Sequence, residues 1–330
     1  MAKGGRRTIG ERGETESRPG RGSRAVPLRL ARAAGTTSQT LDIMRLFLPM
    51  EVGWRGSTRR AAWRRTVFLK WAELSSPALA ALDKTRMVAV LPVAAVEQHG
   101  PHLPLGTDLF IAEAYVERIA FMVPREVDAV FLPVQAVGKS DEHISFAGTL
   151  TLSPATAIAA WVDLGRSLAR AGVRRLVIMN THGGNVPVID LVARTLRVDH
   201  KMLAVTCSMH RFGYPVGLFS DHERAHGIHG GEIETSLMLA FRPELVDMSH
   251  AGPFPPYSIA MESEFQRLRA NHPVGFGWLA EDLSPDGAMG DATHATALKG
   301  EAAFEYGSRA FVELLKDVAA FDLARLEPHA

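Results

Sequence analysis

Two strand-like stretches, MVAVLPVAAV at 87–96 and RRLVIMN at 174–180, most constrain what this chain can fold into. Apolar runs of this length without polar alternation read as strands buried on both faces, which requires a sheet covered by helices on both sides. The remaining periodicity fits that demand. Helical spacing is predicted over 108–122, 154–171, 186–199, 231–241 and 297–317, with further strands at 129–135 and 202–208 and a loop with a short strand reaching 152. This βα rhythm predicts a mostly parallel sheet with helices on both faces. Ligands bind such sheets at the carboxyl ends of their strands.

Polar clusters follow both strand-like stretches. EQHGPHLPLGTD at 97–108 supplies Glu97, His99, His102 and Asp108. Alternation along an extended chain puts Glu97 and His99 on one side, and Gly100, Pro101, Pro104 and Gly106 shape a turn that can return Asp108 to them. With two oxygens, one carboxylate can bridge two cations; Asp108 also reads as a helix N-terminal cap. In NTHGGN at 180–185, His182 falls in a strand-to-helix turn. Gly183 and Gly184 permit close backbone approach there and leave N–H groups suited to an anion or a carbonyl oxygen gathering charge. A glycine-rich turn with an incidental histidine is the alternative.

A third cluster, HGIHGGEIETSLMLAF at 226–241, places His229 and Glu232 around the first turn of a helix. Their i, i+3 spacing can aim both at one site. Glu234, two positions on, is expected to point elsewhere and complement the helix dipole, a role also open to Glu232. Clusters of Glu, His and Asp without Cys select a divalent cation bound through N and O, namely Zn²⁺, Mn²⁺ or Fe²⁺. The single cysteine, Cys207, lies in the apolar run MLAVTCSMH and reads as a core residue. It allows no disulfide within the chain, which fits a reducing cytoplasm.

Together with GKSDEHISFAGTLTLSP at 138–154, these ordered motifs resemble the creatininase (creatinine amidohydrolase) superfamily over about residues 68–310. The resemblance implies a three-layer α/β/α fold and a metal-dependent hydrolase. Activities known in that family are opening the cyclic amide of creatinine, deformylating a formamidopyrimidine, trimming a mycofactocin precursor peptide and opening a keto-inositol ring. Carried over residue by residue, it implies Glu97, His99, Asp108, His182 and Glu232 as ligands of two divalent metal ions, with Asp108 bridging. In creatininase proper the segment matching His182-Gly183-Gly184 carries a ligating carboxylate where this chain has Gly184. That departure assigns the chain to the HGGN-bearing branch, makes Glu232 the replacement ligand, and puts creatinine itself in doubt as substrate.

The expected reaction is C–N cleavage of a small polar cyclic amide or formamide by a water activated between the cations. Hydrolytic ring opening of a keto-inositol, precursor-peptide trimming and formamidopyrimidine deformylation are the alternatives. His229 is the candidate proton donor to the leaving nitrogen. Ser140, Glu142 and His143, in a loop read as substrate-facing or simply solvated, and Gly183 and Gly184 are the candidate substrate contacts. His102 is expected behind a ligand, orienting it. Residues 249–295 are expected to form an ordered functional insertion or subunit contact in which Trp278, Asp291 and His294 line the pocket or an interface. The resemblance also implies a homo-oligomer, a hexamer.

Composition bounds the rest. With 330 residues and 46% hydrophobic content the chain can bury one large core, and no apolar run reaches the ~18 residues of a membrane span. Residues 1–65 hold fifteen Lys+Arg against five Asp+Glu, so the net charge of +1 conceals a basic extension and an acidic remainder, 66–330. The extension is Gly/Arg/Ser-rich and expected to be disordered. We read it as a translated upstream region, the start lying at Met44 or Met50; a basic tail and a targeting peptide are the competing readings. Glu11, Glu14 and Glu16 argue against a transit peptide, and no aromatic residues interleave the first arginines, so no nucleic-acid partner is expected.

Overall fold

The computed structural model describes residues 69–327. The basic extension, its expected disorder and the expected start at Met44 or Met50 lie outside the described residues. Strands β1 (Leu69–Lys70), β2 (Val88–Val93), β3 (Ala129–Phe131), β4 (Arg175–Asn180) and β5 (Leu203–Ser208) form a sheet in the order β1-β3-β2-β4-β5. All four pairings are parallel. The three-layer α/β/α architecture is therefore present, with a sheet that is wholly parallel among the described residues.

Every residue of β2 is buried, and alternation sends its side chains into two cores. Val88 and Val90 join residues of α2 (Thr107–Met122), α6 (Glu232–Phe241) and α9 (Ala297–Ala320), among them Ile119, Met238 and Phe311. Ala89, Leu91 and Val93 join Trp161 and Leu168 of α3 (Pro154–Arg170) and Ile189 and Leu196 of α4 (Val186–His200) on the other face. Burying each of these larger side chains contributes roughly 1.5–3 kcal/mol. Two glycines set the closest helix contacts. A Cβ on Gly165 would lie 2.4 Å from Leu196 Cδ1, and one on Gly300 would lie 1.9 Å from the backbone oxygen of Ser236, so α9 crosses α6 almost backbone to backbone.

Strand β3 ends at Phe131, short of the expected 135, and the reason lies in its neighbour. Pro92 of β2 has no N–H to give, so the ladder slips there and resumes one residue out of step at Val93 and Gln135, with Gln135 N donating to Pro92 O at 2.9 Å. The short elements β1, α1 (Ser76–Ala81) and α5 (Asp221–His226) have too few residues to show periodicity. The expected order over 249–295 is present in the structure: α7 (Ser258–Glu264), α8 (Ala280–Leu283) and an antiparallel ribbon of β6 (Pro253–Phe254) with β7 (Gly290–Asp291). A small core of Met261, Ala270, Ala280, Leu283 and Met289 holds the segment together.

Candidate metal centre

The chain leaves β2 toward β3 on one side and returns to β4 on the other, which makes the carboxyl ends of β2 and β4 the switch point of the sheet. Glu97 and His99 follow β2 there, and His182 follows β4. Backbone bonding of Glu97 N to Leu105 O closes the turn after β2, and α2 then starts at Thr107, delivering Asp108 from its first turn. Gly100 sits in this turn at φ +74°, where a Cβ would come within 2.7 Å of Ala288 Cβ. Only glycine fits both demands.

The ring nitrogens show what the cluster is built to hold. His99 Nδ1 lies 3.1 Å from Glu97 O and His182 Nε2 lies 2.9 Å from Lys139 O. His229 Nε2 lies 2.6 Å from Gln98 O. A carbonyl can only accept, so each of these nitrogens carries the proton, and in the neutral ring the opposite nitrogen is a lone pair. Those lone pairs face carboxylates. His182 Nδ1 is 3.1 Å from Glu97 Oε1 and 3.3 Å from Asp108 Oδ2; His99 Nε2 is 3.9 Å from Asp108 Oδ1 and 3.8 Å from Glu234 Oε2. His229 Nδ1 is 3.7 Å from Glu97 Oε1. Glu97 Oε1, Asp108 Oδ2 and His99 Nε2 are buried without a hydrogen-bond partner.

Lone pairs facing lone pairs in a buried site call for positive charge between them. The electrostatics agree. Burial opposes charge on His182, yet Glu97 and Asp108 hold its pKa well above the ordinary imidazole value. Burial likewise opposes ionisation of Glu97, yet His182, His143 and His229 hold its carboxyl well below the usual range. Two triads whose ligand atoms lie within 4.8 Å of one another, Glu97–Asp108–His182 and His99–Asp108–Glu234, meet at Asp108, one through each of its oxygens; a third group joins Glu97, His99 and His229. The donor set fits divalent cations held through N and O.

Glu232, expected among the ligands, points elsewhere. Its carboxylate is taken by Lys299 of α9, and its backbone N–H donates to Glu223 Oε1 at 2.7 Å. Glu234, expected to face away, is the carboxylate of α6 that reaches the cluster, and Gly230 N donates to its Oε2 at 2.6 Å. The helix explains the exchange. It begins at Glu232, so His229 lies outside it and the i, i+3 rule does not connect the two. Residues 232 and 234 are about 200° apart around the axis, so only one can face the site. A Glu in the third helical position also reaches back to amides before the helix start, which turns Glu234 toward His99.

The protein-family model for creatininase, described as creatinine amidohydrolase, matches residues 72–315. The chain belongs to the creatininase family. Among curated relatives it is 32% identical over 263 residues to the mycofactocin precursor peptide peptidase of Mycobacterium ulcerans, covering 78% of this chain and 92% of that protein. It is 35% identical over 198 residues to the creatinine amidohydrolase of Pseudomonas putida, covering 52% and 73%. Similarity to the 3-dehydro-scyllo-inosose hydrolase of Thermotoga maritima is 24%, over 72% and 80% of the two chains. A solved creatininase in its Mn form superposes with a TM-score of 0.60 at 29% identity, over 76% of this chain and 98% of that one. A Zn–Zn form of a creatininase point mutant gives 0.59 at 27%, over 75% and 97%. The chain is thus a creatininase-family hydrolase of the amidohydrolase type.

Against the family pattern, Gly184 is closed to any side chain. A Cβ there would fall 2.0 Å from Glu142 Oε1, 2.4 Å from His182 Nε2 and 2.6 Å from Lys139 O. Glu142 lies 3.6 Å from His182 Nε2 and pairs with Lys139 Nζ at 2.8 Å. Gly183 faces open space. Ser140 Oγ donates to Glu97 Oε2, and His143 Nε2 is 3.5 Å from Glu97 Oε1, so the 138–154 loop closes over Glu97. His102 is buried one layer back, its Nε2 2.8 Å from Thr235 Oγ1 and its ring stacked on Phe254. Trp278 donates to Ala270 O, Asp291 caps the turn at Thr293, and His294 is exposed.

Two site residues escaped the sequence reading. Gln98 ties the first motif to His143 and to Gly287 O. Buried Glu223 of α5 accepts N–H bonds from Glu232 and Asp291, joining the start of α6 to the 249–295 segment. The same segment pairs Met289 with His229 in both directions, at 3.2 and 2.6 Å. Glutamine is no ligand type, and Glu223, although it stands in the HExxH spacing of His222 to His226, turns its carboxylate to backbone amides. Among the described residues no helix is long and apolar enough to cross a membrane.

Proposed function

We propose that the protein hydrolyses the C–N bond of an amide at a centre of two divalent cations, with Glu97, Asp108 and His182 holding one and His99, Asp108 and Glu234 the other. The observation that carries this reading is the set of buried, partnerless atoms, Glu97 Oε1, Asp108 Oδ2 and His99 Nε2, converging with the histidine lone pairs. When bound, such cations polarise a carbonyl and make water acidic enough to attack it near neutral pH. Zn²⁺, Mn²⁺ and Fe²⁺ suit the donors.

The chain's own groups account for the protons and the geometry. His229 donates Nε2–H to Gln98 O, so its Nδ1 is free to take a proton from the attacking water and return it to the leaving nitrogen. Burial, with the neighbouring His99, pushes the His229 pKa down, which favours the accepting form at the start of the cycle. Gly183, beside His182 and with no atom within 4 Å of where a Cβ would stand, leaves room for substrate. Ser140 and Lys139 fix Glu97 and His182 from behind.

A small cyclic amide or a formamide is the substrate class we favour. A peptide amide is the second reading, supported by the mycofactocin peptidase relative that matches 78% of this chain. Incubating zinc- or manganese-loaded protein with creatinine, a formamidopyrimidine, a keto-inositol and a short peptide with a free C-terminus separates the readings by product. Absence of turnover on every amide, with the keto-inositol opened, overturns amide hydrolysis. From the family resemblance we also propose a homo-oligomer, checked by light scattering.

A further inference from the structure

Three imidazoles follow one another in a row, His143 stacked on His229 and His99 tilted against its other side, each pair with centroids 4.1 Å apart. Two of them, like His182 across the site, donate one nitrogen to a backbone carbonyl and turn a lone pair inward. His143 is wired the other way. Its Nδ1 lies 2.7 Å from Gln98 Nε2, and the orientation of that amide is fixed by its other partners. Gly100 N–H donates to Gln98 Oε1 at 2.9 Å, so that end must be oxygen; Gln98 Nε2 faces Gly287 O at 3.0 Å, so this end must be nitrogen. The amide N–H therefore points at His143 Nδ1, which must accept. The proton of His143 sits on Nε2, the nitrogen 3.5 Å from Glu97 Oε1.

We propose that Gln98 is a positioning residue that locks His143 in the Nε2–H form, making His143 the hydrogen-bond donor to the substrate's carbonyl oxygen as it gathers charge. This rests on the hydrolase reading above and assigns its two stacked histidines opposite tasks. His143 Nε2–H and the His229 Nδ1 lone pair both face Glu97 Oε1, at 3.5 and 3.7 Å, so a donor and an acceptor stand side by side at one spot. An amide under attack needs both: a donor for its oxygen and an acceptor for the proton of the incoming water. Locked by Gln98, His143 has no lone pair to offer a metal through Nε2, and it falls outside every ligand group of the cluster. Gly287 keeps the lock tight: at φ +74° it lies face-on to the Gln98 amide, where a Cβ would come within 2.4 Å of Oε1.

The test uses full-length, zinc-loaded protein with ¹⁵N-labelled histidine, so that the tautomer is read without any substrate. His143→Gln identifies the His143 signals by their loss. Wild-type protein is expected to show His143 protonated on Nε2 with a lone pair on Nδ1. Gln98→Glu, which replaces the donating N–H by a carboxylate oxygen, is expected to move that proton to Nδ1 with zinc content unchanged. Acetohydroxamate, a chelating amide analogue, probes the donor. His143→Met should weaken its binding at least about tenfold, the worth of a hydrogen bond to a charged oxygen, while His143→Gln, which keeps an N–H, stays within about threefold. A wild-type His143 protonated on Nδ1 overturns the proposal, and so does equal weakening by Met and Gln. Failure to cleave any amide with the tautomer as stated counts against the hydrolase reading alone.

Discussion

Exchanging the expected roles of Glu232 and Glu234 has a measurable consequence. Glu234→Gln keeps an oxygen to accept the Gly230 N–H, so the fold should hold, but it removes the charge facing His99 at 3.8 Å. Changing a group behind a metal ligand costs about 10–100-fold in affinity, so neutralising a ligand itself should cost more than about 100-fold, or ~2.7 kcal/mol. Metal content should fall from two equivalents to one, the Glu97–Asp108–His182 position being untouched. Glu232→Gln likewise keeps an oxygen to accept from Lys299 Nζ, which also donates to His294 O at 3.2 Å, but it removes the charge of that ion pair. Glu232 is nearly buried but Lys299 is about one-third exposed, so solvent screens the loss to roughly 1–2 kcal/mol. For a domain of this size that lowers Tm by about 2–8 °C, with metal retained. Elemental analysis after dialysis against micromolar zinc, paired with calorimetry, separates the two. If Glu232→Gln strips a metal and Glu234→Gln keeps both, the orientation of α6 argued above is refuted.

Chelating the metals should lower Tm by on the order of 10 °C, since a ligand at ~1,000 times its Kd stabilises by ~4 kcal/mol; an unchanged Tm with metal demonstrably removed speaks against the partnerless atoms as its seat. Gly300→Ala should destabilise the protein by at least about 1–3 kcal/mol in urea melts, because its Cβ has no space against Ser236 O. Burial, then charge on His99, pushes His102 down to about 4, below its ordinary 6.5. The unfolded chain therefore binds this proton first, so the stability it contributes is whole above pH 6.5 and is lost as pH falls toward 4, at up to ~1.4 kcal/mol per unit. Urea midpoints of wild type and His102→Gln should diverge less at pH 4.5 than at pH 7; a constant gap contradicts the assignment.

How far the site was legible depended on whether a residue's neighbours in sequence are also its neighbours in space. Glu97, His99, Asp108 and His182 lie at strand ends or in the turns that follow them, where the buried runs of β2 and β4 fix which way the next residues go, and the structure brings all four together. Helix α6 offered no such constraint. Its axis is set by Gly300 of α9, more than sixty residues downstream, and by Glu223 upstream, whose carboxylate ties down the amide of Glu232. A local rule for i, i+3 pairs could not see that the helix starts only at Glu232. The same limit hid Gln98. Glutamine is no ligand and no nucleophile, and its meaning comes from Gly287, 189 positions away, which holds its amide against His143. Segment 249–295 showed composition without periodicity, yet it supplies Met289, Gly287 and Ala288, the backing that holds His229, Gln98 and the Gly100 turn in place. The candidate ligands that follow β2 and β4 are thus written in local motifs, whereas the orientation of the helix and the protonation of the imidazoles are written in contacts that only the folded chain makes.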